Sequence, residues 1–302
     1  MSKQGKMSIL EFQERFHSEE VCREHLYNIR WPDGFVCPKC GVMDEPFKIV
    51  SRNLYQCKHC RHQASVTAGT VMEKTRLPLL KWFWAMFMMS TDKRGCSAMQ
   101  ISKELDLCYS SAWFVCHRIR SAMGERDTEY VLSGHIEADD AFFGASTSNG
   151  KRGRGTDKAV VLVGLSLSEN GNPEFVKMQV VPNVKGESIA EFATENIEQG
   201  STISSDGYLS YNILDEKGFI HDGKACDPVN DPEHLKWLHV VVSNAKAFIL
   251  GTYHGLGPKH LQRYLDEFCY RFNRRKFTLQ HFNRTLFACA LASKLTYAEL
   301  IR

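Results

Sequence analysis

Residues 133–144 read SGHIEADDAFFG. Upstream, from 78 to about 124, apolar residues recur at helical spacing. Downstream they come in short dense runs bounded by turn residues, the texture of strands. The stretch therefore opens a sheet, and it carries acids into it. Asp139 falls inside an apolar strand pattern, where a carboxylate is costly unless it binds a cation or a partner. Glu137 shares its face of the strand and competes with it for that role, whereas Asp140 is expected on the other face.

Beyond this strand, AVVLVGLSLS (159–168) and PEFVKMQVV (173–181) are joined by ENGN, a hairpin signal. ESIAEFATENIE (187–198) has helical spacing at Ile189, Phe192 and Ile197, with Gly200 as a stop. STISSDGYLSY (201–211) reads as a short strand closing on Asp206, and the glycine after it permits a tight turn. HVVVSNAKAF (239–248) reads as a buried strand running into a helix, and KHLQRYLDEFCYRFNRR (259–275) as an amphipathic helix with Leu261, Leu265, Phe268 and Phe272 on one face. A three-stranded meander, a helix, a strand, then a strand and a helix predict an α/β (α+β) domain, a mixed sheet flanked by helices in the ribonuclease-H-like order. Asp139 and Asp206, at strand ends of one sheet, can converge on Mg2+ (or Mn2+), which favours hard oxygen ligands. Two such ions roughly 4 Å apart can activate a water or a 3′-hydroxyl and stabilise the leaving oxygen of a phosphodiester. For either aspartate alone, a turn or edge charge is the simpler reading.

Upstream, Cys37 and Cys40 form one C-x-x-C and Cys57 and Cys60 another. Two such knuckles complete a tetrahedron around Zn2+, and four thiolates leave no open position, so the role is structural. His59 and His62 are alternative ligands, or phosphate contacts beside Lys58 and Arg61. Eleven cysteines without an apolar N-terminal signal core suit metal-bound and free thiols, hence an expected soluble, cytoplasmic protein. The most apolar window, LPLLKWFWAMFMMS (77–90), is too short for a membrane span and carries Lys81.

SAMQISKELDLCYSSAWFVCHRIRSAM (97–123) reads as helix, short turn, helix, with Ser110 or Ser111 capping the second. That is the shape of a DNA-reading helix-turn-helix and also of an ordinary helical hairpin. Arg118 lies near its far end. A formal net charge of +3 allows nucleic acid without demanding it, so a basic footprint must be local. Lys151, Arg152 and Arg154 in GKRGRGTDK, and Arg271, Arg274 and Arg275 in RFNRRK, supply two basic runs suited to a polyanionic substrate.

Taken together, RWPDGFVCPKCG, the second C-x-x-C, SSAWFVCHRIRSAM, IEADDAFFG, SSDGYLSY and GTYHGLGPKHLQRYLDEFCYRFNRR resemble the bacterial insertion-sequence transposases that join a zinc ribbon to an ISXO-type DDE domain. The resemblance spans nearly the whole chain, and the YLDEF-x-x-R-x-NRR tail is its most specific part. It implies that Asp139 and Asp206 are the first two catalytic acids. Members vary at the third position, and VSNAK fits the variant with asparagine followed by lysine. Asn244 then completes the Mg2+ shell through its neutral carbonyl oxygen, and Lys246 contacts phosphate. Asp231, Glu233, Asp266 and Glu267 are the rival third acids.

The expected organisation is N-terminal helices (1–30), a zinc ribbon (31–75), a helix-turn-helix segment (76–126) and a catalytic domain (130–302). The expected function is a transposase that binds terminal inverted repeats in double-stranded DNA as a homodimer or larger assembly, then nicks the ends and directs each 3′-hydroxyl at target DNA. The alternatives are a transposase-derived regulator without catalysis and a nuclease of the same fold without strand transfer.

Overall fold

The computed structural model describes residues 7–144, 157–225, 227, 229–254, 256–277 and 280–301. By contacts the chain forms two compact units, residues 1–123 with 277–302, and residues 124–276.

The first unit opens with α1 (Ile9–Arg15) and α2 (Glu19–Arg30), each N-capped by a serine. Ser8 accepts from the Glu11 N–H while Glu11 answers the Ser8 N–H, and Ser18 accepts from the Val21 N–H. A small antiparallel ribbon follows, β1 (Phe47–Ile49), β2 (Leu54–Gln56) and β3 (Gln63–Ala64). Then come α3 (Leu79–Thr91), α4 (Ala98–Glu104) and α5 (Tyr109–Thr128), the last crossing into the second unit. The apolar window is α3, which buries Trp82, Phe83, Met86 and Met89. No helix among the described residues is long and apolar enough to cross a membrane.

The second unit is built on a five-stranded sheet. Its strands are β4 (His135–Phe143), β5 (Ala159–Leu167), β6 (Pro173–Val181), β7 (Thr202–Ser205) and β8 (Ile220–Gly223). Helices α6 (Gly186–Asn196), α7 (Ile213–Glu216), α8 (Lys236–Tyr253) and α9 (Pro258–Asn273) accompany them. The spatial order is β6-β5-β4-β7-β8, with the β4–β5–β6 meander antiparallel and β7 and β8 parallel to β4. This is the mixed, ribonuclease-H-like sheet expected from the pattern. One buried cluster joins α8 and α9 to the sheet through Val163, Val176, Val241 and Leu265, and another, with Phe192, Ile203 and Leu214, lies under α6 and α7.

Two assignments differ from the sequence reading. HVVVSNAKAF contains no strand and lies wholly inside α8. Its β-branched run suggests a strand locally, but Leu238, Val241, Val242, Ala245, Phe248 and Ile249 recur at helical spacing and are the residues buried. The fifth strand is instead Ile220–Gly223, too short and polar to announce itself. Residues 277–302, expected within the catalytic domain, group with the first unit. They form α10 (His281–Leu291) and α11 (Tyr297–Ile301), and the Phe282 ring lies 5.2 Å from Phe12 and 5.3 Å from Phe16.

The late helix α9 closes the edge of the sheet. Gln262 accepts from the Val180 N–H at 2.7 Å and donates to the Met178 carbonyl at 2.9 Å. Asn273 accepts from the Val176 N–H at 2.7 Å and donates to its carbonyl at 3.1 Å. Two side-chain amides thus occupy the outward-facing groups of β6, which would otherwise be an unpaired edge. Asn273→Ala leaves the Val176 groups unsatisfied, and a loss of about 1–3 kcal/mol is expected from denaturant unfolding of the full chain.

Within α9 lies Asp266, whose carboxyl is pushed up to about 7 chiefly by burial, the Gln262 amide opposing and Asp127 adding to it. Gly124 faces it so closely that a Cβ there would stand 2.7 Å from Asp266 Oδ2. A carboxyl with a raised native pKa holds its proton better folded than unfolded. Its stabilising contribution is complete at low pH and is lost as pH rises from the ordinary carboxylate range through about 7. Melting temperatures between pH 4 and 8 should show this decline in the parent and a flatter profile in Asp266→Asn.

Candidate functional site

The four ribbon cysteines offer ligand atoms within 4.8 Å of one another. Sγ of Cys37 lies 3.5 Å from that of Cys60, and Sγ of Cys40 lies 3.7 Å from that of Cys57. Zn–S bonds of about 2.3 Å in a tetrahedron give sulfurs roughly 3.8 Å apart, so this donor set fits zinc. The knuckles repeat one backbone pattern. Gly41 N–H donates to the Cys37 carbonyl and Arg61 N–H to that of Cys57, at left-handed φ of 71° and 59°. Only the first uses glycine for that conformation. The Cys57 thiol is held below its usual range by the Cys60 N–H, burial opposing and the His59 N–H assisting. His59 is engaged by Asp44 at 3.1 Å, and neither it nor His62 belongs to the cysteine cluster. Treating the protein with a strong chelator should release one zinc per chain, and Cys57→Ser should purify with well under one, both read by elemental analysis.

In the second unit, β4 and β7 run parallel in register up to Ala138 opposite Ser205. Asp139 and Asp206 are each the next residue along, where β7 has ended and β4 continues. Carboxylate oxygens of Asp139, Asp140 and Asp206 lie within 4.8 Å of one another. Asp140 was expected to face away, but beyond Ala138 no neighbouring strand separates the two faces of β4 on that side. All three are partly buried, and their oxygens fit Mg2+ or Mn2+.

The turn after β7 is fixed from behind. Asp206 Oδ1 accepts from the Tyr208 N–H at 3.2 Å. The Ser205 hydroxyl donates to the Asp206 carbonyl at 2.9 Å and receives His221 Nε2 at 2.8 Å, while His234 Nε2 donates to the Ser205 carbonyl at 3.1 Å. Gly207 serves close approach, since a Cβ there would stand 3.1 Å from the Ala225 nitrogen.

Helix α8 crosses this region. Its first turn is capped by Glu137, 5% exposed, whose Oε2 accepts the Leu238 N–H at 2.7 Å. Burial raises the Glu137 carboxyl, and the Leu238 N–H, His239 and His234 pull it back. One residue on, His239 Nε2 stands 3.5 Å from Asp139 Oδ2, and that hydrogen bond raises its imidazole pKa against opposing burial. Lys246, two turns later on the same face, sits 5.7 Å from the Phe143 ring centroid. Burial and then Lys158 lower its pKa, while Asp139 raises it. Asn244, expected as the third ligand, is exposed, and at 100° per residue it lies roughly 140° around α8 from His239. The face that α8 turns toward the carboxylates carries His239 and Lys246 instead. The rivals Asp266 and Glu267 lie in α9, outside the carboxylate group.

The basic residues divide sharply. Lys151, Arg152 and Arg154 lie outside the described residues. Arg118, 9% exposed, donates to the Leu295 carbonyl at 2.9 Å and the Glu73 carbonyl at 3.2 Å. Arg274, 8% exposed, pairs with Asp127 at 2.5 Å, and Arg271 with Glu267 at 3.3 Å. Arg275 donates to the carbonyls of Pro173, Glu174 and Phe272. The guanidinium fork matches clustered carbonyls and carboxylates inside a fold as well as it matches phosphate. These four, expected on DNA, are engaged here by carbonyls and carboxylates of the chain itself. In α5 every residue from Val115 to Met123 except Ser121 is buried, and the exposed positions are in the first turn, Tyr109 to Ser111, and near the far end at Glu125 and Thr128. The capping residue there is Cys108, not a serine: its sulfur lies 3.4 Å from Ser110 Oγ and 3.1 Å from Ser111 Oγ, and bonds from Ser110, then Ser111, bring the thiol down to about 7.

A mixed sheet with converging carboxylates, preceded by a four-cysteine ribbon, is an arrangement suited to nucleotidyl transfer. Residues 131–273 match the family model of the ISXO2-like transposase domain, and residues 17–63 that of the transposase zinc-ribbon domain, together more than half of the chain. The chain belongs to this family of insertion-sequence transposases. It is similar to an uncharacterized protein in transposable element ISH50 of Halobacterium salinarum, 28% identical over 279 residues, 84% of this chain and 90% of that protein. An uncharacterized transposase-like protein of Haemophilus influenzae is 26% identical over 107 residues, 33% of this chain and 83% of its own. A solved Mos1 transposase paired-end complex with left transposon end matches over 63% of this chain and 79% of its own, at 8% identity and a TM-score of 0.20, too low to bear on the fold.

Proposed function

We propose that the protein is a DNA transposase that binds the terminal inverted repeats of its element and catalyses metal-dependent cleavage and strand transfer. The observation that carries this reading is the convergence of Asp139 and Asp206, with Asp140, at the end of β7 within the transposase domain. A divalent ion bound there stabilises charge on the phosphoryl oxygens and lowers the pKa of the attacking water or hydroxyl. Asp139 and Asp206 hold their oxygens ready through the β4–β7 register and the Ser205–His221 contact, so little reorganisation is needed. Lys246 contributes positive charge for a phosphate on the same side. Asn244 is retained only as a residue to be tested.

In this reading the ribbon, with exposed Arg61, and the first turn of α5 contact double-stranded DNA, and Lys151, Arg152 and Arg154 contact its backbone. Two element ends must be joined to one target, so the active species is a homodimer or larger, acting on the bacterial nucleoid.

Strand transfer with oligonucleotides carrying the element's own ends, in Mg2+, tests the proposal. Asp139→Ala and Asp206→Ala should each lower the rate by at least about 100-fold while retaining end binding in gel-shift assays. Asn244→Ala should fall far less, because its side chain leaves α8 on another side. Full activity in either aspartate variant would sink the mechanism.

A further inference from the structure

The two oxygens of Asp139 are held by different elements. Oδ1 accepts the Asp140 backbone N–H at 2.8 Å, a contact within its own strand. Oδ2 is approached from α8, by His239 Nε2 at 3.5 Å. The helix is brought there by Glu137, two residues before Asp139 in β4, which receives the Leu238 N–H. Strand and helix therefore grip each other twice in adjacent positions, 137 with 238 and 139 with 239. The first grip is buried and explains how the helix is anchored. The second is not needed for packing, since the His239 side chain is 53% exposed and lies beside the buried face of α8.

We infer that His239 is a positioning residue for the metal site, orienting the Asp139 carboxylate by a hydrogen bond from Nε2 to Oδ2. The inference rests on the transposase reading above, in which Asp139 is a metal ligand. Ligating carboxylates are themselves oriented by hydrogen-bond partners, and losing such a partner typically costs 10–100-fold in metal affinity. His239 also supplies what the asparagine was expected to supply, the contribution of α8 to the site. It does so through a neighbour's carboxylate rather than as a ligand, because it falls outside the group of mutually close ligand atoms.

The test is Mn2+ binding to the full chain without DNA, by calorimetry or electron paramagnetic resonance, followed by strand transfer over a Mn2+ titration. His239→Ala should raise the dissociation constant by about 10–100-fold and shift the metal needed for half-maximal activity by a similar factor, with most of the maximal rate regained at saturation. His239→Gln places an amide N–H near the position of Nε2 and should restore most of the affinity. Val240→Ala, an exposed neighbour on α8, should behave as the parent and report on the helix itself. Mn2+ affinity within about twofold of the parent in His239→Ala, or a glutamine variant as weak as the alanine one, would overturn the inference. Unchanged Mn2+ binding in Asp139→Ala would instead overturn the reading of the site. If that variant loses metal while His239→Ala does not, only the role of His239 falls.

Discussion

The grouping of the three carboxylates depends on where one pair of strands stops pairing. β4 and β7 are parallel and in register through Ala138 and Ser205, and the aspartates follow at the next position of each. If β7 continued, its backbone would cover the flank of β4 and hold Asp139 and Asp140 on opposite faces. Because it turns at Asp206, that flank of β4 is left open at Asp139 and Asp140, and three carboxylates share one small volume. The turn is held by polar contacts rather than apolar packing: a serine, two histidines and the Asp206 carboxylate itself satisfy one another and the surrounding backbone. A buried polar network of this kind specifies one geometry, because an alternative would leave several groups without partners.

The tail YLDEFCYRFNRR, the most family-specific stretch, turns out to be architecture. Gln262 and Asn273 finish the hydrogen bonding of β6, while Arg271, Arg274 and Arg275 engage Glu267, Asp127 and main-chain carbonyls. An edge closed in this way needs a side chain with both a donor and an acceptor, and an amide is the one that mimics a peptide unit. Basic composition in this tail therefore need not signal a nucleic-acid surface. A run of arginines is indistinguishable in sequence whether its forks meet phosphates or carbonyls.

Much of the second unit was legible. The meander, α6, the strand before Asp206 and the amphipathic α9 follow from period and punctuation, and the cysteine spacing alone points to the ribbon. What stayed hidden has physical causes. HVVVSNAKAF pits β-branched propensity against helical periodicity, and packing on β4 and β5 decides for the helix. Ile220–Gly223 is a short strand whose pairing with β7, not its composition, makes it one. Alternation along β4 did not reveal that the Asp140 carboxylate comes close to those of Asp139 and Asp206 beyond the end of β7. His239 carries no motif, and only the Glu137 cap, a contact across 101 positions, fixes where it points.

The second unit is an insertion within the first, whose aromatic cluster includes Phe12, Phe16 and Phe282. During synthesis the chain emerges N-terminus first and domains tend to fold as they appear. The helices around Phe12 must therefore wait, with one ring of their cluster still missing, until the whole catalytic sheet has left the ribosome. A transcript cut short before α10 would yield a sheet with its carboxylates but a first unit lacking part of its core. The order of the chain thus ties completion of the first unit to completion of the second.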